Sequence, residues 1–187
     1  MRPWRRFGRR AYGTSATGYL LVGEAPGYVS WKNRRRFTGP AGLFVRRALR
    51  LVGHARCRDL EDLFYMTDVV KCHPARPGNP RANRSPRQAE VRACAGFLLR
   101  EMTVLNPSVV VTFGKLAAEG VAGAIGRMAP GSAPKVLSFP HPSPRNRRTI
   151  LRHYPSLSAF EESLTQTFCR LIMQLDRRSP VMRRPSR

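Results

Sequence analysis

Three groups that can carry charge lie inside or directly after apolar stretches of this sequence. Glu24 follows the first apolar run, Asp68 lies inside the β-prone run 63–70, and His141 follows a later apolar run in a proline-rich turn. A carboxylate in a buried strand is unfavourable unless structural donors pair with it or it contacts a ligand. Carboxylates and imidazoles also stabilise charge and move protons in enzymes. The three residues therefore indicate either a chemical site or three locally satisfied polar groups.

The stretch 23–42 holds most of the residues that suggest a ligand site. It reads GEAPGYVSWKNRRRFTGPAG, with Glu24 beside a Pro-Gly turn, Phe37 directly after three arginines, and a Gly-Pro-Ala-Gly segment at its end. Glycines leave the backbone bare, which lets a ligand approach closely. The spacing alone is equally compatible with a connecting loop that has a solvated carboxylate and a Phe folded onto the core. We predict a loop that leaves the first strand, where sites lie in open α/β sheets.

Strands and helices alternate along the chain. Because four such alternations are typical of α/β proteins, we predict a three-layer αβα sandwich with a four-stranded, mostly parallel central sheet. The loops that carry Glu24, Asp68 and His141 then converge at the carboxyl edge of this sheet. The predicted strands are 18–22, 63–70, 108–113 and 135–139; the predicted helices are 43–52, 85–105, 114–124 and one over about 158–175, and 71–84 is predicted to be a loop.

Charge distinguishes this chain from an average globular protein. Its 187 residues include 34 Lys+Arg against 11 Asp+Glu, a formal net charge of +23, and only four of the basic residues are lysine. Such a surface attracts polyanions, and arginine forks bind phosphates and stack on bases. The alternative explanation is a GC-rich genome that encodes arginine wherever a positive charge is tolerated. We expect a nucleic acid as the partner and a monomeric protein.

The terminal segments indicate where the folded domain begins and ends, and the cysteines indicate the cellular compartment. Residues 1–17 mix arginines with aromatic residues, which predicts a flexible basic arm that binds nucleic acid or acts as a solubilising tail. Residues 18–176 form the predicted domain, and 177–187 a basic tail. The four cysteines form no C-x-x-C pair, and no stretch has the length of a membrane span or the pattern of a signal peptide. We expect a soluble, cytoplasmic protein with reduced thiols.

Four short motifs resemble the uracil-DNA glycosylase superfamily, nearest to its G-E-A-P-G branch. They are GEAPG at 23–27, FTGPAG at 37–42, DVVKCHP at 68–74 with NRSP at 83–86, and HPSP at 141–144. Each motif is weak alone, but their order and strand context make the set specific, and the resemblance covers about 18–175. It implies a monofunctional glycosylase that flips a nucleotide out of DNA, hydrolyses the bond between base and sugar, and leaves an abasic site.

The resemblance also implies catalytic residues, which are Glu24, Asp68 and His141. Breaking the glycosidic bond makes the sugar cationic and the base anionic, so a negative group near the sugar and a donor at the base O2 both favour the reaction. Glu24 would supply the first and His141 the second. Flipping is necessary because the bond cannot be reached inside a stacked duplex.

Further residues would hold the base and the DNA. Phe37 would stack on the flipped base, and Asn83 would support the pocket. Arg145 stands where the wider superfamily has a residue that wedges into the base stack. The predicted base-binding residues are Gly23, Ala25, Phe37, Asp68 and Asn83, and the predicted DNA-binding residues are Lys71, Arg84, Ser143, Arg145 and Arg147.

The main departure from the family pattern is Asp68, where the family has an Asn. An ionised Asp only accepts hydrogen bonds, so it repels uracil O4 but suits the N4 amino group of cytosine. Excision of ordinary cytosine would destroy the host genome, which favours a modified cytosine, hydroxymethylated or glucosylated as in some phage DNAs, and a defence role. A neutral Asp68 in a uracil repair enzyme is one alternative, and a catalytically silent DNA-binding protein is another. On the first hypothesis, an Asp68→Asn variant gains uracil activity.

Two other departures concern the water and a cofactor. Residues 28–31 replace the acidic stretch of the family, which leaves Glu24 or Asp68 to position the water. The G-E-A-P-G branch holds an iron–sulfur cluster, and Cys72 and Cys94 match two of its ligands, but its N-terminal cysteine pair is absent. Two thiolates cannot hold a cluster that needs four. We therefore expect no cofactor and no metal.

Overall fold

Six strands are present in the residues that the computed structural model describes, 12–178. The strands are β1 (Tyr19–Gly23), β2 (Tyr65–Asp68), β3 (Ala75–Arg76), β4 (Asn79–Asn83), β5 (Val109–Phe113) and β6 (Lys135–Phe139). The central sheet has the order β2-β1-β5-β6, and each neighbouring pair is parallel. β3 and β4 form a separate antiparallel pair. The predicted four-stranded parallel sheet is confirmed.

Helices cover both faces of this sheet. They are α1 (Tyr28–Asn33), α2 (Pro40–Arg50), α3 (Leu60–Leu63), α4 (Gln88–Leu105), α5 (Lys115–Ile125), α6 (Arg147–His153) and α7 (Leu157–Arg178), and a 3-10 turn over Pro144–Asn146 precedes α6. The predicted αβα layering is therefore also confirmed.

The strand β1 separates two hydrophobic cores. Tyr19 and Leu21 face α2 and α7, while Leu20 and Val22 face α4 and α5, and all four are buried. This follows from the alternation of side chains along a strand that is covered on both faces. β6 is an edge strand with more exposed residues. The continuous apolar runs in the sequence are thus the buried central strands.

The chain order of the strands sets the position of a crevice. From β1 the chain crosses to β2 on one side, whereas from β5 it crosses to β6 on the other side. The loops that leave β1 and β5 therefore turn to opposite faces and open a gap between them at the carboxyl edge. Ligands bind at such a switch point in open α/β sheets.

Several predicted boundaries were wrong. The stretch 23–42 is not one loop, because it contains α1 and the start of α2. The predicted strand 63–70 is only β2, since α3 continues to Leu63 and the chain bends after Asp68. The predicted loop 71–84 contains the β3–β4 pair, and α6 was not predicted. Short elements of this kind depend on packing more than on sequence pattern.

The last part of the predicted arm packs against the domain. Tyr12 stacks on Tyr65 with ring centroids 5.4 Å apart, the Thr14 amide donates to the Phe64 carbonyl over 3.1 Å, and the Thr17 hydroxyl donates to the Leu63 carbonyl over 2.9 Å. Residues 1–11 and 179–187 lie outside the described residues. In the described part of the chain no helix is both long and apolar enough to cross a membrane.

Candidate active site

A cavity of about 690 Å³ opens at the carboxyl edge of the central sheet. The segments after β1, β2 and β6 and the end of β4 contribute to its wall, as the convergence of parallel strand ends requires. It brings together most of the residues that the sequence singled out. Those in the wall are Gly23, Glu24, Ala25, Phe37, Asp68, Asn83, Arg84, His141, Ser143 and Arg145; Lys71 and Arg147 are not among them.

Asp68 ends β2 and is 5% exposed. Its Oδ2 atom accepts a hydrogen bond from Arg36 Nη1 in a buried ion pair. Burial raises the pKa of the Asp68 carboxyl, and the positive charges of Arg36 and Lys71 oppose that rise. The carboxylate in the apolar strand is thus both paired and part of the cavity wall, which are the two possibilities that the sequence left open.

Arg36, the partner of Asp68, was missed at the sequence level. It is 1% exposed and lines the cavity, and its guanidinium lies 4.8 Å from the centre of the Tyr12 ring. The chain reaches this position because α1 ends at Arg34 in the left-handed conformation, with φ of 52°. The available signal was Asp68 itself, because a buried carboxylate needs a counter-ion and three arginines precede Phe37.

Glu24 follows β1 and lies at the crevice between β1 and β5. A Cβ atom on Gly114 would stand 2.5 Å from Glu24 Oε1 and 3.2 Å from the Cβ of His141, so Gly114, with φ of 94°, leaves room for both residues beside its backbone. Burial, and after it the negative charge of Asp68, raise the pKa of Glu24. Gly114 is a second residue that sequence analysis missed, although its position after a buried strand was visible.

His141 follows β6 and enters the cavity from the opposite side. Its backbone carbonyl accepts a 2.9 Å hydrogen bond from the Asn146 side chain, which fixes the turn that precedes α6. Burial lowers the pKa of the His141 imidazole. At neutral pH the ring is therefore uncharged and carries one N–H donor.

Phe37 has an unusual backbone conformation, with φ of 53°. A non-glycine residue in this region is strained, and such strain persists only where the surroundings impose it. Two neighbours fix the Phe37 backbone here. It packs so closely against Gly42 that any side chain on Gly42 would overlap it, and Arg46 Nε donates a 2.9 Å hydrogen bond to the Phe37 carbonyl. The ring packs edge-on against Phe113 with centroids 6.4 Å apart. Phe37 is thus held at the cavity wall.

Asn83 and His73 connect the β3–β4 pair to the loop after β1. Asn83 Oδ1 accepts a 2.9 Å hydrogen bond from the Tyr28 amide at the start of α1. His73 lies 3.2 Å from the Pro26 carbonyl through Nδ1 and 3.1 Å from the Pro80 carbonyl through Nε2. These contacts fix the loop that contains Glu24, so Asn83 is placed where it can support the pocket.

The predicted DNA contacts are placed unevenly. Lys71 is 6% exposed, and its ammonium donates to Thr67 Oγ1, the Asp68 carbonyl and Glu101 Oε2, so a DNA contact for Lys71 has no support in the structure. Arg84 lies at the rim but binds Glu90 through both terminal nitrogens. Ser143 and Arg145 line the rim, and Arg147 is exposed at the start of α6.

The cysteines do not fit the iron–sulfur cluster that the resemblance implies. The whole sequence has four cysteines, and Cys57 lies in the core that faces α2 and α7 while Cys169 lies on α7. Burial, and after it the electrostatic influence of Cys94, raise the pKa of the Cys72 thiol. Among residues 12–178 no group of three or more Cys, His, Asp or Glu side chains is placed to hold a metal ion.

Comparison with known proteins matches the same region. A family model described as the uracil DNA glycosylase superfamily matches residues 11–165. A Type-4 uracil-DNA glycosylase of Pyrobaculum aerophilum is 34% identical over 117 residues, which cover 63% of this chain and 54% of that protein. Another, from Thermotoga maritima, is 38% identical over 105 residues, 56% and 49% of the two chains. The chain spans about half the length of the curated relatives it matches.

Proposed function

This chain belongs to the uracil DNA glycosylase superfamily, and we propose that it is a DNA N-glycosylase that flips a nucleotide and hydrolyses its glycosidic bond. The observation that carries the proposal is the joining of Glu24, Phe37, Asp68 and His141 in one cavity at the switch point of the sheet. A volume of about 690 Å³ lies within the range of ligand pockets. The product is DNA with an abasic site.

Phe37 and the neighbouring backbone would receive the flipped base. An aromatic ring whose position is imposed by Gly42 and Arg46 offers a rigid stacking surface, and base–aromatic stacking contributes about 1–3 kcal/mol per base. The bare backbone of Gly23 and Ala25, two positions further along, form the wall beside it. This arrangement offsets part of the cost of unstacking the base from the duplex.

His141 and Glu24 would stabilise opposite charges as the bond breaks. The base leaves with negative charge on O2, and the uncharged His141 ring donates an N–H hydrogen bond to it without giving up the proton. The sugar becomes cationic, and the carboxylate of Glu24, at the crevice between β1 and β5, stabilises it and orients the water. Asp68 is less suited to the water, because Arg36 holds one of its oxygens.

Basic and polar residues around the cavity and near the ends of the chain would bind the DNA duplex. The net charge of +23 supports binding to the phosphate backbone. Ser143, Arg145 and Arg147, in and after the turn that holds His141, are the residues we assign to the duplex, together with Arg84 at the rim. In this proposal residues 18–176 form the glycosylase domain, residues 12–17 pack against it, the basic segments at the two ends of the chain add non-specific DNA contacts, and the protein acts as a cytoplasmic monomer.

The base is assigned to the cytosine type, and a modified cytosine of phage DNA in a defence role is the substrate we propose. Asp68 supports this assignment because an ionised carboxylate accepts from the cytosine amino group. Uracil is the second candidate, because the relatives are named uracil-DNA glycosylases. The two candidates differ in the edge that the base presents to Asp68.

Excision assays test the proposal. Duplexes that carry uracil, cytosine, 5-hydroxymethylcytosine or its glucosylated form are incubated with the protein, and alkali then cleaves the strand at any abasic site. Release of a cytosine-type base supports the full proposal, and release of uracil alone supports a repair glycosylase. Binding to DNA without release of any base supports the rival function, a DNA-binding protein without catalysis.

A histidine variant tests the mechanism in the same assay. His141→Ala removes the donor to O2, so the single-turnover rate falls by roughly 10²–10³ while affinity for DNA stays within a few-fold. His153→Ala, an exposed histidine at the end of α6, is the matched control and retains the wild-type rate. Equal rates for wild type and His141→Ala would contradict the role of His141.

A further inference from the structure

We infer that Arg36 reads the base together with Asp68, as one donor and acceptor unit, and that this pair determines which pyrimidine the cavity accepts. The inference rests on the proposed glycosylase function and deepens it. Four arginines line the cavity, namely residues 36, 76, 84 and 145, and among these only Arg36 is buried. Its guanidinium is held between the Tyr12 ring and the Asp68 carboxylate.

The second oxygen of Asp68 lies beside the stacking residue. Arg36 binds Oδ2, whereas Oδ1 lies against Gly23, since a Cβ atom on Gly23 would be 2.5 Å from Oδ1 and 3.3 Å from Phe37 Cζ. Gly23 and Asp68 are also cross-strand partners in the β1–β2 register. The acceptor, the adjacent cation and the Phe37 ring therefore stand around the same part of the cavity.

The chemistry of the pair matches one order of groups on a base edge. A guanidinium only donates and a carboxylate only accepts. Cytosine presents an acceptor at N3 and a donor at N4, whereas uracil presents a donor at N3 and an acceptor at O4. With Asp68 bound to the amino group and Arg36 to N3, the cytosine order is satisfied, and uracil in the same position meets two repulsive pairs. A polar site rejects the wrong ligand because its buried donors and acceptors are then left without matching groups, and this is the source of its specificity.

Arg36 also favours the charged form of Asp68. The other charged groups around Asp68 are Lys71 and Glu101, which bind each other over 2.6 Å, and Glu24, which follows the cross-strand partner Gly23. Lys71 and Glu101 act on the pKa of Asp68 in opposite directions, and Glu24 disfavours a second negative charge. Burial already raises the pKa of Asp68, so removal of Arg36 favours protonation. A protonated carboxyl has one donor and one acceptor, which is the set that uracil requires.

The test is an Arg36→Met variant assayed on duplexes with uracil and with 5-hydroxymethylcytosine. We expect the ratio of the two excision rates to shift toward uracil by at least about 10-fold, the size of one or two base-edge hydrogen bonds. The shift is greatest at low pH, where Asp68 is protonated, and it declines as the pH rises through the raised pKa of Asp68. The double variant Arg36→Met/Asp68→Asn keeps its shifted ratio at every pH, because an amide does not titrate.

A structural role for Arg36 gives a different result. Glu61→Gln is the control, because it weakens the ion pairs with Arg46 and Arg35 outside the cavity; it lowers the melting temperature and leaves the base ratio unchanged. If Arg36→Met behaves like this control, the inference is overturned and the proposed function stands. If Arg36→Met does not fold, the double variant replaces it in the test, because the double variant buries no unpaired charge. A wild-type ratio of the two excision rates in the double variant overturns the inference. Wild-type protein that releases no base overturns the proposed function and the inference with it.

Discussion

Two arginines separated by ten positions, Arg36 and Arg46, are each 1% exposed and each paired with carboxylates, yet only Arg36 lines the cavity. Arg46 binds Glu61 through Nη1 and Nη2 over 2.6 and 2.9 Å, and Nη1 also binds Asp59. It also donates to the carbonyls of Phe37 over 2.9 Å and Arg36 over 2.8 Å. Arg46 thus fixes the segment that presents Arg36 and Phe37.

The comparison shows that burial and pairing do not by themselves identify a functional charge. The carboxylates of Arg46 reach solvent, with side chains 24% and 19% exposed for Asp59 and Glu61, whereas the Asp68 side chain is 8% exposed and lines the cavity. One pair therefore lies in the cavity wall, and the other lies behind it, away from the cavity. Variants of the two pairs are expected to separate base preference from stability.

The largest effect is expected for Asp68→Asn. This change leaves the Arg36 guanidinium buried without its counter-ion, so we expect the free energy of unfolding to fall by about 3–5 kcal/mol. Urea denaturation measures it. The expectation from sequence, a simple gain of uracil activity in Asp68→Asn, is therefore revised, and we expect that gain when Arg36 is replaced as well. Asp59→Asn is the control and costs less, because Glu61 still pairs with Arg46.

The second largest effect is expected for Arg46→Met, and it distinguishes the role of Arg46 in stability from the role of Arg36 in base preference. Arg46→Met is expected to lower the free energy of unfolding by about 2–3 kcal/mol, less than for a fully buried pair because Asp59 and Glu61 keep contact with water. Excision of every base slows to the same extent, because the Phe37 carbonyl loses a donor. Arg47→Ala on the same helix, where Arg47 is 62% exposed, changes stability by less than about 1 kcal/mol. A changed base ratio in Arg46→Met would remove the distinction between the two residues.

A smaller effect is expected where Gly42 meets Phe37. Gly42→Ala places a methyl group against the Phe37 backbone, and the displacement costs about 1–3 kcal/mol of unfolding free energy and slows excision of all bases. Gly96→Ala on α4 is the matched control: nothing lies within 4 Å of its new methyl group, so the change raises stability by about 0.5–1 kcal/mol. Thermal unfolding and single-turnover rates measure both. Full activity in Gly42→Ala would show that the position of Phe37 is not critical.

Much of the fold and the location of the site could be predicted from the sequence. The strands β1 and β5 are largely apolar runs bounded by Gly and Pro, and β6 is a mixed run between two prolines; the observed ends of all three differ from the predicted ones by at most one residue. Because parallel strands end at one edge, Glu24, Asp68 and His141 had to converge, and all three line the cavity. Periodicity and strand polarity are sufficient for these conclusions.

The partners of the charged groups could not be predicted in the same way. Among 34 basic residues nothing in the local pattern distinguishes Arg36 or Arg46, since their burial depends on tertiary contacts, with Asp68 for Arg36 and with Asp59 and Glu61 for Arg46. Lys71 was expected on the surface, but the chain bends after Asp68 and turns the ammonium back to Thr67 and Glu101. Once the chain leaves a strand, alternation no longer gives the direction of a side chain.

The pH dependence of stability provides the finest test of the difference between the pairs. Hydrogen bonds from Arg46 and Arg35 outweigh burial and lower the pKa of Glu61 to about 2, from an ordinary value of 4.5. A carboxyl with a lowered pKa stabilises the fold above its unfolded pKa and loses that effect as the pH falls. The difference in unfolding free energy between wild type and Arg46→Met is therefore expected to shrink as the pH falls from about 4.5 toward 2. Because Glu61 is only one of the two carboxylates on Arg46, the change is a fraction of the Arg46→Met effect, and a difference that stays constant over this pH range would show that Glu61 contributes nothing.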